Sequence, residues 1–185
     1  MYRGDSRDRR GYTGRMNEED LFGKFRPSKS YEAAYRAKAD ERGRVDEKTA
    51  LDLVRKHTLQ DPLNPEQPFA RQLYLNLMKA MGIENDKNRK LKFYNAVKTP
   101  ADHLWGIDGW FEYIDDDGQR VIVTMDATIN PNKDEWKADV IIPEVADQSE
   151  SESRFFEDAK TYAAEVMRQF EIKLNTKDER LREAA

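Results

Sequence analysis

Apolar residues recur at helical spacing in three segments of the chain. The first segment follows Asp46, whose side chain can cap the start of a helix. The second occupies residues 68–81 and ends before Gly82, a residue type that commonly follows a helix. The third predicts a long closing helix, and its apolar stripe consists of Phe155, Ala159, Tyr162, Val166 and Phe170.

The period changes from helical to strand-like after residue 104. Residues 107–114 are rich in aromatic and β-branched side chains, and residues 120–129 alternate between apolar and polar. The dipeptide Asp117-Gly118 between them is a strong hairpin-turn signal. The pattern therefore predicts an antiparallel hairpin whose second strand turns three apolar side chains toward a helix layer: Val121, Val123 and Met125.

The order of these elements predicts an α+β fold, with a small mixed sheet that contains the hairpin and is flanked by helices. A further short strand is predicted to end at Pro143, and residues 91–97 fit either a strand or the end of a helix. We expect residues 46–174 to form a single α+β domain. Residues 175–185 are charged and predict a frayed tail.

Residues 1–45 predict an extended arm with one short helix. Leu21 and Val45 are the only branched aliphatic residues in this range, which is too few for a core of its own. The range carries twelve basic and eight acidic residues, a net charge of +4, whereas the remaining residues carry a net charge of −8. Such a basic, aromatic arm could dock on nucleic acid or on a protein partner. The alternative is a solvated tail that only keeps the chain soluble.

Composition narrows the chemistry that the chain can perform. Its 185 residues include no cysteine and two histidines, which excludes disulfides and thiolate sites and disfavours a polyhistidine zinc centre. A metal would therefore have to bind carboxylates, and these favour Mg²⁺ or Mn²⁺. No apolar run approaches the length of a membrane span, and the first residues lack the apolar region of a secretory signal. We expect a cytoplasmic protein without a membrane partner.

Two aspartates occupy positions that strands disfavour. Asp108 lies within an aromatic run, and Asp126 lies in the middle of the alternating strand. If the hairpin closes, both carboxylates can point to the same end of the sheet, where a divalent cation would relieve their repulsion. Two other interpretations stay open: Asp108 as a turn residue beside Gly106 and Gly109, and Asp126 as part of the solvated face of a sheet.

The sequence GIDG, followed by a hairpin and then by VTMDAT, resembles the PD-(D/E)xK, or restriction-endonuclease-like, superfamily over roughly residues 68–172. The resemblance implies an αβββαβ core. It also implies that Asp108 and Asp126 bind Mg²⁺ or Mn²⁺ and take part in cleaving a phosphodiester of nucleic acid, helped by a lysine two residues after the second acid.

This chain departs from the family pattern at that lysine, because Thr128 occupies its position. Lys133 or Lys137 could supply the ammonium from a different backbone position. The candidate catalytic residues are therefore Asp108, Asp126, Lys133 and Lys137. Without such a lysine, the resemblance implies a nuclease fold that has lost catalysis. The competing hypothesis is a non-enzymatic structural or interaction protein, of the kind found among virus or phage accessory proteins, that docks through residues 1–45.

Overall fold

Six helices and four strands occupy the described part of this computed structural model, which covers residues 14–83, 90–128, 137–143 and 145–183. The first five elements are α1 (Gly14–Phe22), α2 (Tyr31–Arg36), α3 (Glu47–His57), α4 (Pro68–Ala80) and β1 (Leu91–Asn95). The other five are α5 (Pro100–Trp105), β2 (Gly109–Ile114), β3 (Arg120–Ala127), β4 (Val140–Ile142) and α6 (Glu152–Glu183).

The four strands form one open mixed sheet in the order β1-β2-β3-β4. The first three pair antiparallel, and β4 pairs parallel with β3. Gly109 lies opposite Met125 in the β2–β3 pair, which sets the register of the hairpin. The predicted α+β class, the hairpin and the short strand before Pro143 are confirmed. Residues 91–95 form a strand, which decides between the two structures left open for this segment.

The turn of the hairpin follows from its side chains. The Asp115 N–H donates to the Gln119 carbonyl at 3.0 Å, and the Gln119 N–H donates to the Asp115 carboxylate at 2.7 Å. Gly118 has a φ of 77°, in the left-handed region that favours glycine. These bonds close the turn between β2 and β3 and so determine which residues of the two strands face each other.

The larger part of the core lies between one face of the sheet and helices α4 and α6. Val121, Val123 and Met125 are buried on this face, as the alternation predicts. The apolar stripe of α6 packs against them, with Phe155, Ala159, Val166 and Phe170 buried. The close packing of these side chains fixes the position of the sheet relative to α6.

We expect Phe170→Ala to lower the free energy of unfolding by about 3–5 kcal/mol, because truncation of a fully buried aromatic ring leaves a cavity. The ring also makes an edge contact with Tyr113, at 6.1 Å between centroids. Urea unfolding would measure the loss. Ile172→Ala on the same helix is the control, since Ile172 is half exposed and its loss should change stability little. Equal losses in both variants would show that this stripe does not anchor the helix.

The opposite face of the sheet packs on α3 and α5 and contains a buried ion pair. Glu112 is fully buried on β2, and its carboxylate accepts a hydrogen bond of 2.8 Å from Arg55 Nε on α3. The Arg55 guanidinium lies over the rings of Tyr94 and Trp110, at 5.9 and 6.0 Å. A buried carboxylate requires a partner of this kind, so the pair fixes where α3 lies on the sheet.

Part of the predicted N-terminal arm belongs to the body of the protein. Leu21 and Phe22 of α1 are buried in the core between the sheet and helices α4 and α6, while Val45 is buried in the core on the opposite face. Tyr31 is also buried. A fold does not require many aliphatic residues in a segment to bury it, because a few large side chains can fill gaps in a core built by other elements. The short helix predicted within residues 1–45 is present as α2, whereas the expectation of an arm outside the core is wrong for the buried residues Leu21, Phe22, Tyr31 and Val45.

Helix α6 also extends further than expected. It continues to Glu183, well into the range predicted as a frayed tail. None of the helices in the described ranges has both the length and the apolar character needed to cross a membrane.

Candidate functional site

Asp108 lies directly before β2, and three hydrogen bonds hold it against the neighbouring strands. Its N–H donates to the Met125 carbonyl at 2.9 Å, and its carbonyl accepts from the Ala96 N–H at 2.7 Å. The carboxylate accepts a bond of 2.7 Å from the Ala127 N–H. The residue is only 2% exposed. Asp108 therefore links β1, β2 and β3 at one end of the sheet and is not a simple turn residue.

Burial raises the pKa of Asp108 to about 8, and the nearby charge of Glu18 is the next cause. The hydrogen bond from Ala127 opposes the shift, whereas Asp102 and Asp126 add to it. A carboxyl group that is protonated at neutral pH and surrounded by other acids is typical of a functional site, although buried structural acids behave in the same way. A cation placed among these acids would favour the ionised form.

Three acids from distant parts of the chain meet at this point. Glu18 comes from α1, Asp102 from α5 and Asp108 from the start of β2, and each offers one carboxylate oxygen within 4.8 Å of the other two. We call these three residues the acidic cluster. Glu18 and Asp102 are partly exposed, so the cluster connects buried Asp108 with solvent. Carboxylate oxygens at this spacing suit a hard divalent cation.

Lys98 orients one member of the acidic cluster. Its N–H donates to Asp102 Oδ2 at 2.7 Å, and its φ of 65° places a non-glycine residue in the left-handed region. Its ammonium pairs with Glu19 on α1. Backbone strain of this kind persists only where the surrounding contacts hold it. Lys98 thus fixes the Asp102 carboxylate through its backbone, and its side chain joins α1 to the loop before α5.

The predicted partner of Asp108 lies nearby but outside the acidic cluster. Asp126 is 3% exposed on β3, and its charge contributes to the raised pKa of Asp108. It follows Met125 and precedes Ala127, the two residues whose backbones bond to Asp108. Its burial contradicts the interpretation of Asp126 as part of a solvated face. Among the described residues, the group whose carboxylate oxygens converge contains Glu18 and Asp102 rather than Asp126.

Of the three positions that concern the missing lysine, the described ranges include Thr128 and Lys137. Thr128, which occupies the family's lysine position, donates its N–H to the Ile142 carbonyl at 3.0 Å and so pairs with β4. Lys137 is exposed. Lys133 lies outside the described residues. Both lysines stay predictions as sources of the missing charge.

Sequence reasoning missed Glu18 and Asp102. Glu18 lies in the range predicted as an arm, and Asp102 lies in a short helix that the pattern did not predict. One local signal could have indicated the second acid: Thr99-Pro100 is a typical helix start, and it precedes Asp102 and His103. The His103 ring is 51% exposed and lies 3.8 Å from the Asp102 carboxylate. No comparable signal marks Glu18, because its place in the site depends on the packing of α1.

Comparison with known proteins found no match to this chain among protein families, curated proteins or solved structures. The site must therefore be interpreted from its own geometry.

Proposed function

We propose that this chain is a divalent-metal-dependent, nuclease-like domain that acts on or binds nucleic acid, and that Glu18, Asp102 and Asp108 hold the cation. The observation that carries the proposal is the convergence of their three carboxylate oxygens within 4.8 Å, with Asp108 almost completely buried. Mg²⁺ and Mn²⁺ fit this set of donors. Asp126 would favour binding of this cation by adding negative charge from β3.

A cation bound there would polarise a phosphodiester and activate water. The chain's own residues orient the metal site. Ala127 fixes the Asp108 carboxylate, and Lys98 fixes the Asp102 carboxylate, each through a backbone N–H at 2.7 Å. Such fixed carboxylates need little rearrangement when a ligand binds. Lys133 and Lys137 remain the proposed sources of positive charge in place of a lysine at Thr128.

We extend the proposal to the fold family. Three antiparallel strands followed by a parallel fourth, with flanking helices, support a restriction-endonuclease-like core. Two features depart from the order αβββαβ: α5 separates β1 from β2, and β4 precedes α6 in the chain. The family assignment thus depends on the sheet and the acids more than on the order of the elements.

Metal titration by calorimetry tests the proposed site. Wild-type protein should bind Mn²⁺, whereas Asp108→Asn and Asp102→Asn should each lose most of the affinity, because each removes one charged ligand. Asp116→Asn is the matched control, since its side chain is 88% exposed and lies in the hairpin turn. Asp126→Asn distinguishes a ligand from a supporting charge, because a supporting charge should cost much less affinity. Wild type that does not bind Mn²⁺ or Mg²⁺ would overturn the proposal.

Catalysis needs a separate assay. Cleavage of single- and double-stranded DNA and RNA should be measured with Mn²⁺ for wild type, Asp108→Asn, Lys133→Ala and Lys137→Ala. Cleavage that depends on one of these lysines and on Asp108 would support an active nuclease. Strong cleavage that neither lysine change reduces would contradict our account of the missing charge.

The second candidate function is non-enzymatic binding. Thr128 favours it, because a threonine cannot supply the positive charge, and the Lys98 ammonium beside the acidic cluster is already paired with Glu19. Metal binding without cleavage of any nucleic acid would support this function over the active nuclease. Residues 1–45 would then be the segment to test for binding to a protein partner.

A further inference from the structure

An open cleft of about 220 Å³ lies between α2 and α5, and its lining includes Lys98, whose backbone N–H bonds to Asp102 of the acidic cluster. Tyr31 and Tyr35 of α2 line one side, and Lys98, Thr99 and His103 line the other. Asp102 belongs to the acidic cluster, whereas its neighbour His103 belongs to the cleft. Helix α5 therefore contributes to both features, and a ligand that extends past this helix could contact both.

We propose that this cleft binds one base of a single-stranded nucleic acid whose adjoining phosphate reaches the metal held by the acidic cluster. The proposal rests on the proposed function for the metal and adds the class of substrate. Binding pockets for drug-sized molecules usually measure about 300–1,000 Å³, so a cleft of 220 Å³ suits one planar ring system rather than a folded ligand.

The aromatic wall of the cleft is held in place before a ligand arrives. The Tyr35 hydroxyl donates to the Gly43 carbonyl at 2.6 Å, which ties the ring to the loop after α2. The rings of Tyr31 and Tyr35 are nearly parallel, with 10° between their planes and 6.5 Å between their centroids. A fixed aromatic ring at the edge of a cleft is a suitable platform for stacking a base, and stacking of this kind accepts any base.

The charges around the cleft favour a base over a phosphate as its occupant. Lys98 and His103 are the basic residues of the lining, and Glu32 is the acidic one. The Lys98 ammonium is paired with Glu19, so it adds little attraction for an anion. A neutral base is compatible with these surroundings, whereas a phosphate would be repelled by Glu32 and would find the Lys98 charge already compensated by Glu19. We therefore place the phosphate at the metal and the base in the cleft.

Binding of a fluorescently labelled thymidine hexanucleotide to the full chain, measured in MnCl₂ and in EDTA, tests the inference. Tyr35→Leu should weaken binding in MnCl₂ roughly 5- to 150-fold, as expected for the loss of one stacking platform. Tyr35→Phe should keep most of the affinity that Tyr35→Leu loses, because it keeps the ring and removes only the hydroxyl bond to Gly43. Phe156→Leu is the matched control, since Phe156 is a partly exposed aromatic residue on α6, away from the cleft. If Tyr35→Leu does not fold, hexanucleotides with and without bases are compared on wild-type protein, which tests the stacking without a substitution.

The outcomes separate the inference from the proposed function. If wild type and Tyr35→Leu bind the hexanucleotide equally and both bind Mn²⁺, base binding in the cleft is wrong, whereas the proposed metal site is unaffected. Tyr35-dependent binding in EDTA, with no Mn²⁺ binding, would support the cleft and overturn the metal site. A hexanucleotide with abasic sites that binds as well as the normal one would overturn the inference. An oligoarginine peptide that binds more tightly than the hexanucleotide would also overturn it, because it would identify a cationic occupant.

Discussion

Deletion of residues 1–45 should abolish the cooperative unfolding of this domain. Leu21, Phe22 and Val45 are buried in the two parts of the core. Burial of three such side chains contributes roughly 5–9 kcal/mol. The total stability of a domain is usually only about 5–15 kcal/mol, so the loss is comparable to the whole. The deletion also removes Glu18 and exposes the apolar surfaces that α1 covers.

Circular dichroism during urea unfolding would check this result. Deletion of residues 1–13 is the control, since it leaves α1 and every described core residue in place. The double variant Leu21→Ala/Phe22→Ala separates the loss of side chains from the loss of backbone. A 46–185 fragment that unfolds cooperatively at the wild-type midpoint would show instead that residues 1–45 are an independent arm, as the sequence predicts.

Asp108→Asn should stabilise the metal-free protein, and the gain should increase with pH. The pKa of Asp108 is about 8 in the folded protein against 3.8 as its ordinary value, so the folded state retains a proton that the unfolded state releases. The contribution of Asp108 to stability is therefore largest below about pH 4 and falls as the pH rises toward 8, by up to about 1.4 kcal/mol per pH unit. Above pH 8 both states are ionised, and the loss is complete. Asparagine avoids this loss and can still accept the Ala127 hydrogen bond.

Urea unfolding in EDTA at intervals from pH 5 to pH 9 would measure the difference between the two proteins. Subtraction of the curves removes the titration of groups common to both. Asp116→Asn, in the exposed turn, should follow the wild-type curve at every pH. If the free energy of unfolding of wild type and of Asp108→Asn changes with pH in parallel, Asp108 is ionised throughout this range. Addition of Mn²⁺ should stabilise wild type and leave Asp108→Asn unchanged, because a cation that binds only the folded state raises its stability.

Much of the fold could be predicted because its signals are local. The two-residue period of 120–129 and the Asp117-Gly118 turn were sufficient for the hairpin, and the stripe from Phe155 to Phe170 was sufficient for the closing helix. The burial of residues in the range 1–45 was harder to predict, because this range contains only two branched aliphatic residues. Whether Phe22 is buried depends on a gap provided by other elements, and no window of sequence contains that information.

The candidate site shows the same division. Asp108 could be identified from the sequence, because an acid in an aromatic run is unusual in any strand. Its partners were decided by tertiary packing: α1 and α5 bring Glu18 and Asp102 to it, whereas Asp126 contributes charge from the adjacent strand.

Periodicity and composition were enough to predict the class of fold, the hairpin, the long helix and the restriction of any metal site to carboxylates. Which carboxylates converge, and which part of the N-terminal segment is buried, depends on how the elements pack. Periodicity is set by neighbours along the chain, whereas a site is set by contacts between residues that are far apart in it. Glu18 and Asp108 meet only because α1 packs against the sheet.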